Sequence, residues 1–316
     1  MGVWPTSIPS PDPVWASFTV GPLTIHTYAL CILAGIIAAV IITGRRLQRR
    51  GVPRGVVLDI AMWAVPLGIV VARFYHVFTH LGDYFYPGAN LWAVFAIWDG
   101  GNAIYGALIG GAVGAWIACR RIGLRFWAFA DALAPALLIA QAIGRLGNWF
   151  NQELFGLPTT LPWGLEISPT AAMFPEGMPA GTLFHPLFLY EMIWNLLGAA
   201  VIVLIERRFT LGWGRSLGLY FLWYGVGRSV LEAIRIDPTS NAPLGVPINV
   251  WASIVVALLG LTLLIVQTIR HRTPEPSAFL PGREPRPGDA AEPGATSSAR
   301  SAEGSEVSAA GEVRGS

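Results

Sequence analysis

Long apolar runs alternate with short polar connections along most of the chain. A helix needs about 20 apolar residues to cross a hydrocarbon core of roughly 30 Å. Runs of this length predict seven spans, at residues 24–43, 56–79, 97–118, 128–148, 186–205, 216–235 and 250–269. The predicted fold class is therefore all-α, a polytopic integral membrane protein with about seven transmembrane helices.

Basic residues occupy alternate connections between these spans. All 21 Lys+Arg residues are arginine, and arginines follow the first, third, fifth and seventh spans. The connections at 81–91, 149–184 and 237–248 contain none. Cytoplasmic loops are the ones that carry excess arginine. The pattern thus predicts an amino terminus outside, a carboxyl terminus in the cytoplasm, and an extracytoplasmic segment between the fourth and fifth spans.

The amino-acid composition agrees with a helical membrane protein and also predicts a carboxyl-terminal tail. Charged residues make up 13% of the chain, about half the share in soluble proteins. The amino terminus lacks the basic region of a secretory signal peptide, which predicts an uncleaved first helix. From residue 273 the chain is Pro, Gly, Ala, Ser and Glu with few large apolar residues. This composition predicts a membrane-embedded domain at 1–272 and a disordered cytoplasmic tail at 273–316.

The two cysteines and the evenly spaced glycines of the third span are more typical of helix packing than of a catalytic site. Cys31 and Cys119 fall in or beside different apolar runs, which indicates neither a disulfide framework nor a metal cluster. Gly106, Gly110 and Gly114 recur every four residues in the third span. Small residues at that spacing let two membrane helices approach closely. We therefore expect these glycines to pack against a neighbouring helix.

Residues 144–156 combine an arginine, two asparagines, a glutamine and a glutamate with three glycines, directly after an apolar run. An arginine at the end of a membrane segment is costly unless it meets an anion. The glycines allow the backbone to bend or to approach a ligand closely. This stretch is the strongest candidate for a functional site.

Polar residues of the other spans fall at a similar depth, in the outer half of the bilayer, when a rise of about 1.5 Å per residue is applied. The set includes His26, Tyr28, Arg73, His76, Arg145, Asn148, Asn151, His185, Tyr190, Glu191, Arg228, Glu232 and Arg235. The arginines outnumber the carboxylates that accompany them, so the set predicts an anionic ligand. The guanidinium fork suits phosphate, and the phosphate at that depth belongs to a lipid headgroup. The alternative is mutual pairing, for which Arg228 and Glu232 are well spaced.

At these residues the sequence resembles the prolipoprotein diacylglyceryl transferases of bacteria. Residues 144–156 are similar to that family's signature, with Arg145 at the essential arginine. The family's conserved amides and acid fall on Asn148, Asn151 and Glu153, and Gly156 closes the stretch.

Further motifs extend the resemblance over roughly residues 25–272. Residues 185–191, from His185 to Glu191, are similar to a second family motif. A third motif, in which the first arginine is functionally critical, matches Arg228, Glu232 and Arg235. Tyr28 matches a tyrosine of the first helix.

One position departs from the family pattern: Tyr105 stands where many members have a histidine after a Gly-Gly pair. A phenol is a poor base unless its pKa is shifted, so Tyr105 is expected to orient substrate by hydrogen bonding.

The resemblance implies transfer of diacylglyceryl from phosphatidylglycerol to the lipobox cysteine thiol of a membrane-bound preprolipoprotein, with release of glycerol phosphate. It also implies a bacterial plasma (inner) membrane location and no nucleic-acid partner, and neither a metal nor another cofactor is required. Arg145 and Arg228 are expected to stabilise the leaving phosphate. Glu153 is the candidate for accepting the thiol proton, or else for orienting Arg145. Headgroup ligands, or residues supporting them, are Asn148, Asn151, His185, Glu191, Glu232 and Arg235.

Two other functions remain open from the residues alone. A transporter or channel would line an anion path with arginines, but its sites usually lie at the midplane between inverted repeats. No clear internal repeat is present, and the arginines lie toward one face of the bilayer. A lipid-binding scaffold would recognise an anionic headgroup without chemistry.

Overall fold

The computed structural model describes residues 7–21, 23–97, 100–101, 103–236 and 243–284. Within these ranges the chain is mostly helical. The helices are α1 (Thr27–Gln48), α2 (Val56–Thr79), α3 (Leu81–Tyr84), α4 (Ile104–Ile122), α5 (Phe126–Phe150), α6 (Leu187–Arg208), α7 (Arg215–Glu232) and α8 (Ile248–Arg270). Sequence-based expectations for residue 102, for residues 237–242 and for the tail at 285–316 lie outside the described residues.

Among the described residues, five helices are long and apolar enough to cross a membrane, namely α1, α2, α5, α6 and α8. The two other long helices are less apolar. Helix α4 ends in Arg120 and Arg121, and α7 contains Arg215, Arg228 and Glu232 among its 18 residues. The predicted class, a largely helical integral membrane protein, is confirmed at this level.

Two approximate predicted helix ends differ from the structure in a way that matters for the site. The third predicted span starts at residue 97, but α4 begins at Ile104, because Arg73 of α2 holds the preceding loop by its carbonyl oxygens. The sixth predicted span runs to residue 235, but α7 ends at Glu232. Arg235 therefore lies in the turn after α7 and not on its helical face.

Helix α5 lies at the centre of the bundle, where it contacts α1, α4, α6 and α7. Helices α2 and α4 pack against each other through the predicted glycine stripe. A Cβ at Gly106, Gly110 or Gly114 would lie 2.6, 2.4 or 2.5 Å from a carbonyl oxygen of α2. Real Cβ atoms do not come this close, so only glycine permits the observed approach. The packing prediction for these residues is confirmed.

One end of the bundle carries a small β-containing layer, called the head here, formed by residues 7–21, 23–26 and 151–186. Strands β1 (Ser7–Ile8), β4 (Gly164–Glu166) and β5 (Leu183–Phe184) form one sheet; β2 (Ser17–Val20) and β3 (Leu23–His26) form an antiparallel pair. β1 is parallel to β4, and β4 is antiparallel to β5. An apolar cluster that includes Phe155, Leu165 and Phe184 fills the head. The all-α prediction missed these strands, which are too short to leave an alternating pattern.

Residues 273–284 are ordered against the opposite end of the bundle. The main chain of Arg125 donates to Ala278 at 2.8 Å, and that of Leu280 donates to Gly123 at 2.8 Å. Ala278 and Phe279 are 4% and 5% exposed. Gly123 has φ of +84°, which lets α4 end and the chain turn into α5 beside this segment. The predicted tail is therefore wrong for residues 273–284, which pack as part of the membrane domain.

Candidate functional site

A cavity of about 300 Å³ opens at the head end of the bundle. The start of α1, the end of α5, the start of α6 and the end of α7 meet there, because consecutive long helices run in opposite directions. The lining residues include Tyr28, Gln141, Arg145, Asn148, Glu191, Trp194, Asn195, Tyr224 and Arg228. Five of these belong to the predicted site: Tyr28, Arg145, Asn148, Glu191 and Arg228.

A chain of ion pairs crosses the wall of this cavity. Arg145 Nε contacts one oxygen of Glu191, and Arg228 Nη1 lies 3.2 Å from the other. Arg228 Nη2 lies 2.7 Å from Glu232 Oε2, and Arg235 Nη1 lies 3.8 Å from the same oxygen. The side chains of Glu191 and Glu232 are only 9% and 0% exposed. The chain thus joins three guanidinium groups through two buried carboxylates and carries a net positive charge.

This arrangement bears on both interpretations of the polar residues, that they bind an anionic ligand and that they pair with one another. The pairing of Arg228 with Glu232 is confirmed, and it satisfies a carboxylate that would be very costly to bury alone. Arg145 and Arg228 nevertheless meet at a single carboxylate, Glu191, although they come from different helices. Two guanidinium groups therefore lie side by side at the cavity surface.

Asn148 connects Arg145 to Glu153. Arg145 Nη1 donates to Asn148 Oδ1 at 3.1 Å, and Asn148 Nδ2 donates to Glu153 Oε1 at 2.8 Å. Asn151 Nδ2 donates to the same oxygen at 3.3 Å. Asn148 lines the cavity, whereas Glu153 and Asn151 lie behind it and not in the lining. The geometry therefore supports Glu153 as a residue that positions Arg145 through Asn148.

An unusual turn brings Glu153 back to Asn148. Gln152 and Leu154 have φ of 52° and 54°, a left-handed conformation uncommon for residues other than glycine. Partly buried hydrogen bonds hold the turn: Gln152 Nε2 donates to Pro11 O at 2.8 Å, and Ser168 N donates to Gln152 Oε1 at 2.7 Å. The head thereby fixes the position of Glu153 within residues 144–156.

Tyr28 reaches the cavity because Gly147 leaves room for it. A Cβ at position 147 would lie 2.4 Å from Cδ2 of Tyr28. The tyrosine ring thus packs directly on the backbone of α5, two residues after Arg145. Any larger residue at 147 would displace the ring from the cavity wall.

Gly156 and His185 do not line the cavity. Gly156 N donates to His185 O at 2.9 Å, and a Cβ at Gly156 would lie 2.7 Å from Cβ of His185. His185 Nδ1 lies 3.2 Å from the hydroxyl of Tyr190, which also accepts a hydrogen bond from Trp163. Gly156 also pairs with Arg235 across an isolated bridge. These residues fasten the head and the turn after α7 to the bundle.

Three more predicted residues, Tyr105, Arg73 and His76, are not among those that line the cavity. The side chain of Tyr105 is 46% exposed, and its neighbour Ile104 lines the cavity in its place. Arg73 donates to the carbonyl oxygens of residues 93, 94, 100 and 101, so it orders a loop. The ring of His76 stacks on that of His80 with centroids 4.3 Å apart.

Sequence reasoning missed a second polar layer, formed by Gln141, Asn195 and Tyr224. Each lies four residues from a predicted site residue: Gln141 from Arg145, Asn195 from Glu191, Tyr224 from Arg228. Residues four apart lie on the same face of a helix, so this spacing could have identified the three residues from the sequence. Gln141 Nε2 donates to Tyr220 at 2.8 Å, while its buried Oε1 has no hydrogen-bond partner in the described part of the chain. That oxygen is free to accept a hydrogen bond from a ligand.

Membrane-length helices around a cavity whose wall carries two arginines define the class as an integral membrane protein. The family model described as prolipoprotein diacylglyceryl transferase matches residues 15–266. The chain belongs to this family.

Similar proteins agree with the family assignment. The phosphatidylglycerol–prolipoprotein diacylglyceryl transferase of Leifsonia xyli subsp. xyli is 60% identical over 90% of this chain and 87% of that relative. The second transferase of that name from Streptomyces coelicolor is 46% identical over 89% of this chain and 90% of the relative. The one from Mycobacteroides abscessus is 47% identical over 78% and 75%.

Proposed function

We propose that this protein is a phosphatidylglycerol–prolipoprotein diacylglyceryl transferase, the activity named for its close relatives. It transfers diacylglyceryl from phosphatidylglycerol to the lipobox cysteine thiol of a preprolipoprotein, the first step of lipoprotein maturation. The observation that carries the proposal is the meeting of Arg145 and Arg228 at Glu191 on the wall of one cavity.

The proposed orientation places this cavity in the outer half of the bacterial plasma membrane. We infer that all seven long helices cross the bilayer, with α4 and α7 sheltering their charges among neighbours. The head, which is free of arginine and lysine throughout its described residues, then lies outside. The arginine-rich ends of α1, α4, α6 and α8 lie at the cytoplasmic surface.

The reaction exchanges one bond for another. The sulfur of the acceptor cysteine attacks the carbon of the diacylglyceryl group that is bonded to the phosphate oxygen, so that a C–S bond forms and that C–O bond breaks. Glycerol phosphate leaves with the bonding electrons. Arg145 and Arg228 bind the phosphate oxygens through their free N–H groups and stabilise the charge that develops there. Such donors are most effective where water is scarce, because the local dielectric constant is low.

The acceptor thiol must lose its proton. Nearby guanidinium groups favour the thiolate. Glu191 is the carboxylate among the residues that line the cavity, whereas Glu153 lies behind Asn148. We therefore assign proton acceptance to Glu191 and the positioning of Arg145 to Glu153. Glu232 and Arg235 hold Arg228, and His185 and Gly156 hold the adjoining head.

The deeper polar layer fits the glycerol and ester part of the lipid. Gln141, Asn195 and Tyr224 lie one helical turn further into the bundle than the arginines. Donors and acceptors at that depth match ester carbonyls, which lie below the phosphate of a phospholipid. Beyond them, Ile32 and the apolar face of α1 provide a surface for the acyl chains.

Reconstitution in phosphatidylglycerol vesicles separates this function from its rivals. Release of glycerol phosphate that requires a lipobox cysteine peptide is the expected result. Anion flux without release would indicate a transporter, and saturable lipid binding without release would indicate a scaffold. A peptide with serine in place of the cysteine is the matched control, because it lacks the thiol that attacks.

Arg228→Lys tests the bidentate contact in the same assay. Lysine keeps the charge but loses the planar fork that reaches Glu191 and Glu232 together. We expect transfer to fall by about tenfold or more, equivalent to about 1.4 kcal/mol or more in the barrier. An unchanged rate would show that charge alone suffices.

A further inference from the structure

A second cavity lies at the opposite end of the bundle from the candidate site. Its volume is about 370 Å³, and its lining includes Trp116, Arg120, Arg125, Trp127, Trp213 and Leu280. The end of α4 and the start of α5 form one side. The α6–α7 connection and the ordered segment after α8 form the other. The reaction proposed above makes no use of this cavity.

Two guanidinium groups at this cavity have no anionic partner among the residues that the structure describes. Arg125 Nε donates to Phe279 O at 2.8 Å, and its guanidinium lies 5.0 Å from the ring centroid of Trp213. Arg120 lies 5.5 Å from the ring centroid of Trp116. Within the described part of the chain, neither arginine forms an ion pair, and no carboxylate lines the cavity. Their terminal N–H groups are therefore available to an anion.

The aromatic wall is held firmly in place. Trp213 has φ of +60°, a costly conformation for a bulky residue. Its ring stacks on that of His271 with centroids 4.1 Å apart, and its Nε1 donates to Thr273 O at 3.2 Å. The segment that follows α8 thus fixes both Trp213 and, through Phe279, Arg125.

We propose that this cavity binds an anionic glycerophospholipid. The phosphate lies between Arg120 and Arg125, and the glycerol and first acyl carbons lie along Trp116, Trp127 and Leu280. Arginine is the side chain best suited to grip phosphate oxygens in pairs. Basic pockets between helices at a membrane surface recognise anionic headgroups, and tryptophan favours that depth. In the proposed orientation, this lipid comes from the cytoplasmic leaflet and is retained without being consumed.

Counting bound lipid on the full-length protein tests the proposal. Protein purified in a neutral detergent is mixed with phosphatidylglycerol, and native mass spectrometry measures how many lipid molecules it retains. The variant Arg120→Gln/Arg125→Gln should retain one fewer than the wild type and bind the remaining lipid normally. The matched control Arg45→Gln/Arg54→Gln removes two exposed arginines, neither of which lines the cavity. It should retain as many as the wild type.

Three outcomes would overturn the proposal. Equal retention by the double variant and the control would show that the arginines hold no lipid. Equal retention of phosphatidylcholine by the wild type would assign any binding to the aromatic wall alone. Displacement of the second lipid by millimolar inorganic phosphate would indicate a simple anion site. Should the double variant fail to fold, Arg120→Glu serves instead, because the side chain of Arg120 is exposed and makes no hydrogen bond within the described residues. This variant should also lose one lipid.

Discussion

Glu191 is the residue on which the geometry of the candidate site depends. Its two oxygens contact guanidinium groups from different helices, so it fixes the distance between Arg145 and Arg228. Sequence reasoning found these residues because charges at the end of a membrane helix are costly and must serve a purpose. It could not predict that Glu153 lies behind Asn148, because that placement results from left-handed residues at 152 and 154.

Replacing each carboxylate by its amide separates their roles. Glu153→Gln keeps an oxygen that can accept from Asn148, so we expect transfer to fall by at most about tenfold, the cost of roughly one weakened hydrogen bond. Glu191→Gln leaves two guanidinium groups without their shared counter-charge and removes the proton acceptor. We expect a loss of more than about 100-fold. Initial rates of glycerol phosphate release measure both; a larger loss for Glu153→Gln would reverse the assignment.

Tyr105→Phe tests the position at which this chain departs from its family's pattern. The side chain is half exposed and is not among the residues that line the cavity, so we expect its hydroxyl to make no direct contact with the substrate. We expect the variant to keep most of the wild-type rate in the same release measurement. A fall of tenfold or more would restore the role first expected for Tyr105, that of orienting the substrate.

At the scale of elements, the long helices and the glycine stripe followed from the sequence, because apolar length and small-residue spacing are local properties. The head did not, since its strands span two to four residues and depend on partners far along the chain. The order of residues 273–284 was missed for the same reason. Only two residues of that segment, Ala278 and Phe279, bury apolar surface in the core cluster there.

Gly110 and Gly111 form a matched pair for testing helix packing. A Cβ at Gly110 would lie 2.4 Å from Leu67 O of α2, whereas one at Gly111 would lie 3.8 Å from Ala64 O, an ordinary contact. Gly110→Ala should therefore destabilise the fold by about 1–3 kcal/mol, the usual cost of overpacking. Gly111→Ala should leave stability nearly unchanged. Thermal unfolding in detergent measures both; equal melting temperatures would show that α2 and α4 adjust freely.

At the scale of the whole molecule, the positions of the arginines in the sequence predict how the protein is oriented in the membrane. In the structure, the candidate site and the clustered arginines lie at opposite ends of the bundle. The head and candidate site lie at one end. The arginines at the ends of α1, α4, α6 and α8 lie at the other. From these two ends, the positive-inside pattern predicts that the head lies outside the cell.

Cysteine labelling tests this orientation. In a Cys31→Ala/Cys119→Ala background, Met173→Cys in the head should react with a membrane-impermeant maleimide in intact spheroplasts; Met173 is 45% exposed. Thr210→Cys, exposed after α6, should react only after permeabilisation. The reverse pattern would place the candidate site at the cytoplasmic face, away from the extracytoplasmic acceptor.

The most direct test of the central claim is the rate of cysteine-dependent glycerol phosphate release by Arg145→Ala in phosphatidylglycerol vesicles. Arg45→Ala, which removes an exposed arginine at the other end of α1 from the site, is the control. Loss of a donor aimed at developing charge usually costs about 10²–10³ in rate. We predict a loss of that size for Arg145→Ala, with normal folding and membrane insertion and no loss for the control. A near-normal rate for Arg145→Ala would contradict the proposal that paired guanidinium groups stabilise the departing phosphate.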